Sequence, residues 1–248
     1  MGILKKLTEE YFGDTVREED LIDIHDLNVE IVSFTDNNGK KHRRGYKPKD
    51  KDTLKELLER MIEVRGDEGD FNDIDTSDIT SMQFLFNYNS TFNGDITGWN
   101  VSSVRYMNYM FSNASSFNQP ISKWEFPNVE NMRGMFCDAI SFNQDISKWK
   151  FPNVKSMNHM FSHAESFNQD ISKWKFPNVR DMNSMFYGAK SFNQDISKWE
   201  FPNVTDMNHM FAYASSFNQD LSKWDLKGKK KTEIFYDCPI KDEYKPKM

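Results

Sequence analysis

The chain has 248 residues, 32 of them Lys or Arg and 38 Asp or Glu, for a net charge of −6, a near balance that disfavours a nucleic-acid backbone as obligate partner. Its 38% hydrophobic and 15% aromatic content suffices for a packed core and excludes a disordered acidic chain. It holds no run of about 18 apolar residues, so the sequence offers no membrane-spanning helix.

The opening MGILKKLTEEYFGD carries two lysines but no apolar run of about 7 to 15 residues before a small-residue cleavage site, so it does not read as a signal peptide. Lys6 stands where a myristoylation signal wants Ser or Thr, and no cysteine precedes Cys137 to act as a lipid anchor. Next, Asn28 to Thr35 and Lys40 to Tyr46 flank Asp36-Asn-Asn-Gly39, and the Asn38-Gly39 pair predicts a hairpin turn. Thr53-Leu-Lys-Glu56 has the spacing of a capping box. Leu54, Leu57, Leu58, Met61 and Ile62 then form one apolar helix face, with Gly66 where a stop belongs. Residues 1–66 therefore read as a small α+β cap, a hairpin plus a helix, protecting the open edge of the segment C-terminal to it.

From residue 67 onward the chain is repetitive. All six tryptophans, Trp99, Trp124, Trp149, Trp174, Trp199 and Trp224, lie 25 residues apart, and Met82, Met107, Met132, Met157, Met182 and Met207 keep the same interval. A period between about 20 and 50 residues marks a stack of units, none able to bury its apolar face alone. Inside one unit, Ile146 to Phe151 alternates apolar side chains and stops at Pro152, which predicts a strand. Val154, Met157, Met160, Phe161 and Ala164 come next at three- and four-residue steps, which predicts one or two helical turns. The expected fold class is an α/β repeat solenoid over residues 67–240, built of 25-residue strand-turn-helix units with degenerate first and last copies, ending in a tail at 241–248.

In such a stack each side chain meets its own equivalent roughly 4.7 to 4.9 Å away. The indoles are expected in the core, each beside its twin, with the alternative of an exposed sugar-stacking row weighed and set second. Asn118, Asn143, Asn168, Asn193 and Asn218 are expected to pass amide hydrogen bonds from copy to copy as a structural ladder, with Asn128, Asn153, Asn178 and Asn203 as a second column.

Written as Ile-x-x-Trp-x-Phe-Pro-x-Val-x-x-Met-x-x-Met-Phe-x-x-Ala-x-x-Phe from Ile146 to Phe167, the unit resembles a leucine-rich repeat with other apolar residues in the leucine slots. It is similar to the BspA-like leucine-rich-repeat surface proteins of bacteria, and to the surface-protein and lipoprotein repeat of the MFxxAxxFNxDISxW type. The resemblance implies a right-handed stack and a surface or secreted protein used in adhesion, without catalysis. The absent export signal leaves a cytoplasmic location open.

The candidate partner-binding face is the expected strand face. Lys123, Lys148, Lys173, Lys198 and Lys223 precede each indole in a like-charged column, and Glu125, Lys150, Lys175 and Glu200 vary just after it. A plain solvated face, with Asp145, Asp170, Asp195 and Asp220 balancing the lysines, is the competing reading. His159 and His163, four apart, lack the carboxylates of a metal site, and Asp70 to Asp75 lacks the glycine and glutamate spacing of a calcium loop. Cys137 and Cys238 fit no metal or disulfide pattern. No nucleophile elbow or phosphate loop is present, so the expectation is a non-enzymatic, cofactor-free, monomeric scaffold for an unknown protein partner. The alternative is a structural or decoy repeat protein with no dedicated ligand.

Overall fold

The computed structural model describes residues 22–247. The first 21 residues of the expected cap, Lys6 included, and the last residue of the tail lie outside the described residues.

Val29–Thr35 forms β1 and Lys41–Pro48 forms β2, antiparallel about a turn in which Gly39 takes φ +83°. Asp36 organises that turn. Its Oδ1 accepts the N–H groups of Asn38 and Lys40, both at 2.9 Å, and its Oδ2 lies 2.9 Å from His42 Nε2. Burial works to raise the Asp36 pKa, yet His42 and the two backbone donors hold it below the ordinary value.

Helix α1, Lys51–Arg65, begins at Asp50, whose side chain accepts the Thr53 N–H. The cap is thus three residues earlier than the Thr53-x-x-Glu56 spacing suggested, and Glu56 bonds Arg60 at 2.8 Å instead. Asp50 wins because it comes after Pro48-Lys49 in extended backbone, φ −151°, the conformation an N-cap needs. At the other end Gly66, φ +76°, returns its N–H to the Ile62 carbonyl at 2.8 Å. The buried face of α1, Leu54, Leu57, Leu58 and Met61, belongs to the same continuous apolar core as the repeats. Strand β2 joins them through Tyr46, which donates to the Asp73 carbonyl and accepts from the Asp75 N–H, both at 2.8 Å.

Neither of the two elements expected inside each repeat forms. Where a strand was expected, Ile146 and Trp149 close a tight turn, the Trp149 N–H reaching the Ile146 carbonyl at 3.1 Å. The cause is Asp145, whose carboxylate captures the Ser147 N–H at 2.9 Å and bends the backbone away from extension. Where helical turns were expected, the chain makes a parallel ladder. The N–H groups of Met107, Tyr109, Phe111 and Asn113 donate to the carbonyls of Asn131, Arg133, Met135 and Cys137 in the next copy, at 2.8 to 3.0 Å. Between them, the N–H groups of Met110, Ser112 and Ala114 close turns onto the carbonyls three residues back.

This arrangement has its own signature. Tyr109 (φ +56°) and Asn113 (φ +59°) are left-handed, as are Phe84 and Tyr88, His159 and His163, and His209 and Tyr213 in other copies. Each left-handed residue redirects the chain after a turn, so alternate N–H groups point sideways rather than along a helix axis. A left-handed L-residue costs about 1 to 2 kcal/mol. Four lateral hydrogen bonds per copy, each contributing about 0.5 to 1.5 kcal/mol net, offset two such residues, and burial of Met, Met, Phe and Ala adds the rest. Gly134 in the Tyr109 column and Gly188 in the Asn113 column carry no such cost.

The repeats stack through parallel bridges running Ser81, Tyr106, Asn131, Ser156, Asp181, Asp206 and Lys230. Phenylalanine rings do meet their equivalents: Phe111–Phe136, Phe136–Phe161 and Phe161–Phe186 stack with centroids 5.5, 5.7 and 5.7 Å apart. The indoles add an edge-on contact. Trp174 and Trp199 are parallel at 6.5 Å, but Trp149, Trp174 and Trp199 each stand edge-on to the preceding copy's phenylalanine (Phe126, Phe151, Phe176) at 4.7 Å. Edge-to-face contact suits the ring quadrupoles and leaves the indole N–H aimed at a backbone carbonyl.

The far end closes differently. The last ladder segment is one residue short, Met207 pairing with Lys230 at 2.8 Å. Lys229 extends its ammonium onto the part-buried carbonyls of Phe201 and Val204, each at 2.8 Å.

Candidate interaction surface

Lys123, Lys148, Lys173, Lys198 and Lys223 are exposed, as are Glu125, Lys150, Lys175 and Glu200, but they flank the Asp-governed turns and not a strand face. Lys123 reaches back to Asn38 of the hairpin turn at 3.0 Å. Asp145, Asp170, Asp195 and Asp220 each hold a serine N–H at 2.9 Å, and those serines, with the nearby lysines, keep the four carboxyls below the ordinary pKa.

The tryptophans are buried, all at 5% exposure or less. Trp99 donates its Nε1–H to the Phe71 carbonyl at 2.9 Å. Trp149, Trp174, Trp199 and Trp224 donate to the carbonyls of Ile121, Ile146, Ile171 and Ile196 at 3.0 to 3.3 Å. Trp124 Nε1 has no partner among the described residues. The asparagine ladder is continuous: Asn118, Asn143, Asn168, Asn193 and Asn218 each donate their backbone N–H to the preceding asparagine Oδ1 at 2.9 to 3.0 Å, from Asn93 onward. In the second column Asn153, Asn178 and Asn203 bond the carbonyls of Pro127, Pro152 and Pro177.

The surface that stands out was not among the chosen columns. Between the four most similar copies, starting at Ser116, Ser141, Ser166 and Ser191, nine positions vary. Seven fall in the ladder segment, at Glu130, Asn131, Arg133, Gly134, Cys137, Asp138, Ile140 and their equivalents, against two elsewhere, at Pro120 and Glu125. The same face gathers apolar exposure. Eight large apolar side chains are exposed among the described residues, and six of them, Phe84, Tyr88, Tyr106, Ile140, Tyr213 and Tyr236, stand on the ladder. Variation between copies was the sequence signal that could have found it.

Its geometry comes from the left-handed columns, whose side chains lean over the next copy. Phe84 stacks on Tyr109 at 5.3 Å, and Tyr109 lies over Gly134, where an added Cβ would clash with its ring. Arg133 covers Tyr109 with its guanidinium 5.6 Å from the ring centroid. Tyr88 is 75% exposed. Beside this aromatic end, Glu130 pairs with Arg105 and, at 2.6 Å, with Lys155, which hold its carboxyl at about 2. Further along, burial and then Arg133 push the His159 imidazole below its ordinary pKa, while burial and neighbouring Asp206 push Asp181 up. His163 lies beside His159 in sequence spacing but crosses the Tyr187 ring at 5.2 Å, edge-on. Tyr187, Tyr213 and Tyr236 continue edge-on at 5.2 and 5.3 Å.

Among the described residues no helix is long and apolar enough to cross a membrane. The family model described as "Mycoplasma protein of unknown function, DUF285" matches residues 54–174 and 144–243, spanning α1 and the repeats. The chain belongs to that family. No curated protein and no solved structure matches it. For this DUF285 chain the argument for a role therefore rests on its own surface.

Proposed function

We propose that this DUF285 chain is a non-enzymatic scaffold for protein–protein contact, a capped solenoid of the right-handed leucine-rich-repeat type that binds through its ladder face. The observation that carries this is the coincidence of varying residues and exposed aromatic side chains on one face. A spacer with no ligand would scatter its differences over every exposed column, and the lysine column instead stays constant. Tyrosine, phenylalanine and arginine side by side suit the anchors of a protein interface, and the mixed charges around Glu130 suit a protein better than a phosphate backbone. The BspA-like resemblance supports adhesion or host contact as the setting. Lysines 123 to 223 then form a solvated rim.

Affinity capture with quantitative mass spectrometry tests the assignment, comparing the unmodified chain with Tyr88→Ser/Tyr106→Ser and with Lys148→Glu/Lys173→Glu. The partner is expected to vanish from the first variant and persist in the second. Retention by both, at unchanged melting temperature, would leave the structural or decoy reading in its place.

A further inference from the structure

The two halves of the last coil end differently. On the asparagine side the C-terminal segment closes it: Lys241 donates its N–H to Asn218 Oδ1 at 3.0 Å, and the Tyr244 carbonyl accepts the Leu221 N–H at 2.8 Å. On the ladder side nothing comparable covers it among the described residues. In every preceding copy four alternate N–H groups donate sideways to the next copy at 2.7 to 3.1 Å. Their equivalents in the last coil are the N–H groups of Lys231, Glu233, Phe235 and Asp237, and among the described residues none of the four has an acceptor.

We propose that this ladder edge takes an extended peptide segment from a protein partner, one presenting carbonyls at alternate residues and an apolar side chain over Phe235. The inference rests on the protein-binding reading and gives it a second docking mode, strand addition at an open edge. Three observations specify the occupant. Between Lys231 and Phe235 the edge offers donors and no free acceptors, because the carbonyls of Lys231, Glu233 and Phe235 are taken by the N–H groups of Ile234, Tyr236 and Cys238. An identical edge from a second copy would therefore set donor against donor. The core columns reach the edge and stop there, Phe235 stacked on Phe211 at 5.7 Å and Tyr236 edge-on to Tyr213 at 5.3 Å, with Tyr236 half exposed. Glu233 (φ +50°) and Asp237 (φ +49°) hold the left-handed conformation of the ladder, so the donor row is already formed.

The test uses the full chain labelled with 15N and, as probe, an acetylated, amidated peptide of residues 205–215, TDMNHMFAYAS. Within the chain that segment already presents the carbonyls of Asp206, Asn208, Met210 and Ala212 to the previous copy. In the free chain the amides of residues 231, 233, 235 and 237 are expected to exchange at least ~100-fold faster than those of Met207, His209, Phe211 and Tyr213. The peptide is expected to slow them and to shift resonances near residues 230–238, while a scrambled peptide does neither. Phe235→Asp is expected to weaken binding by about tenfold or more, and Tyr236→Asp, at an exposed side chain, gives the same direction without endangering the fold. Equal protection of the two amide sets in the free chain, no response to the peptide, or concentration-dependent self-association in sedimentation would each overturn the proposal. If the Tyr88/Tyr106 variant still loses its partner in that event, only the edge site falls.

Discussion

Trp124 and Trp174 occupy equivalent positions, yet replacing each by phenylalanine is expected to cost different amounts. At Trp174 the substitution removes the Nε1–H bond to the Ile146 carbonyl, 3.1 Å, which then keeps only the Trp149 N–H, at a cost of about 0.5 to 1.5 kcal/mol. It also disturbs the edge-on contact with Phe151 at 4.7 Å, a pair contributing about 0.5 to 1.5 kcal/mol beyond its area. At Trp124 the indole N–H has no partner among the described residues. The preceding copy also carries Val101 where the later ones have phenylalanine. Both losses are therefore absent there. The volume lost is the same in both variants, so the difference isolates the hydrogen bond and the aromatic contact. Trp174→Phe is expected to be less stable than Trp124→Phe by about 1 to 3 kcal/mol. Urea unfolding followed by the fluorescence of the five remaining tryptophans measures it. Equal midpoints, or a larger loss at Trp124, would refute the account of how the indoles are held.

Gly134→Ala is expected to destabilise by about 1 to 3 kcal/mol, because the site has φ +56° and the new Cβ would clash with the Tyr109 ring. Gly228→Ala, with φ +73° and nothing within 4 Å, is expected to lose only the backbone part, about 1 kcal/mol, and thermal melts compare the two. Asp145, Asp170, Asp195 and Asp220 titrate below the ordinary aspartate value in the folded chain, because each carboxylate accepts hydrogen bonds from a serine. The unfolded chain therefore binds their protons first, and their contribution is full above the unfolded value and lost as pH falls through the lowered folded values. Replacing all four by asparagine keeps the turn acceptors and is expected to flatten acid destabilisation below about pH 4 in unfolding curves; an unchanged slope refutes the assignment. Burial and Asp138 push the Cys137 thiol up to about 12, so a thiol reagent at about pH 8 is expected to label it only after denaturant is added, and rapid labelling of the native chain, with Cys238 replaced by serine, would contradict its placement.

How far the sequence carried can be judged residue by residue. The interval shared by Trp149 and Trp174 defined the unit, and unvarying Met157, Met160, Phe161 and Ala164 marked the core, because each side chain packs against its equivalent one copy away. Asn143 and Asn168 were legible as a ladder for the same reason. Local conformation was harder to read. Apolar steps of three and four fit an α-helix and also fit successive turns broken by left-handed residues such as His159 and His163, and only the lateral hydrogen bonds distinguish them. Alternating Trp149 and Phe151 suggested a strand, but Asp145 sits where its carboxylate competes for the backbone. The interaction surface was harder to see because the columns of Phe84, Tyr88, Tyr106 and Tyr109 change residue from copy to copy, whereas the core columns stay constant.

Excision of one whole copy examines most directly whether each repeat bonds its neighbour at fixed register. Deleting residues 166–190 joins Glu165 to Ser191 and sets the Met157 to His163 donors against the Asp206 to Ala212 carbonyls, the positions equivalent to their present partners and in the same order. This variant is expected to unfold cooperatively with a somewhat lower midpoint, while deleting residues 166–188, two residues fewer, should abolish the cooperative transition. Equal behaviour of the two deletions would contradict the ladder as the bond between copies.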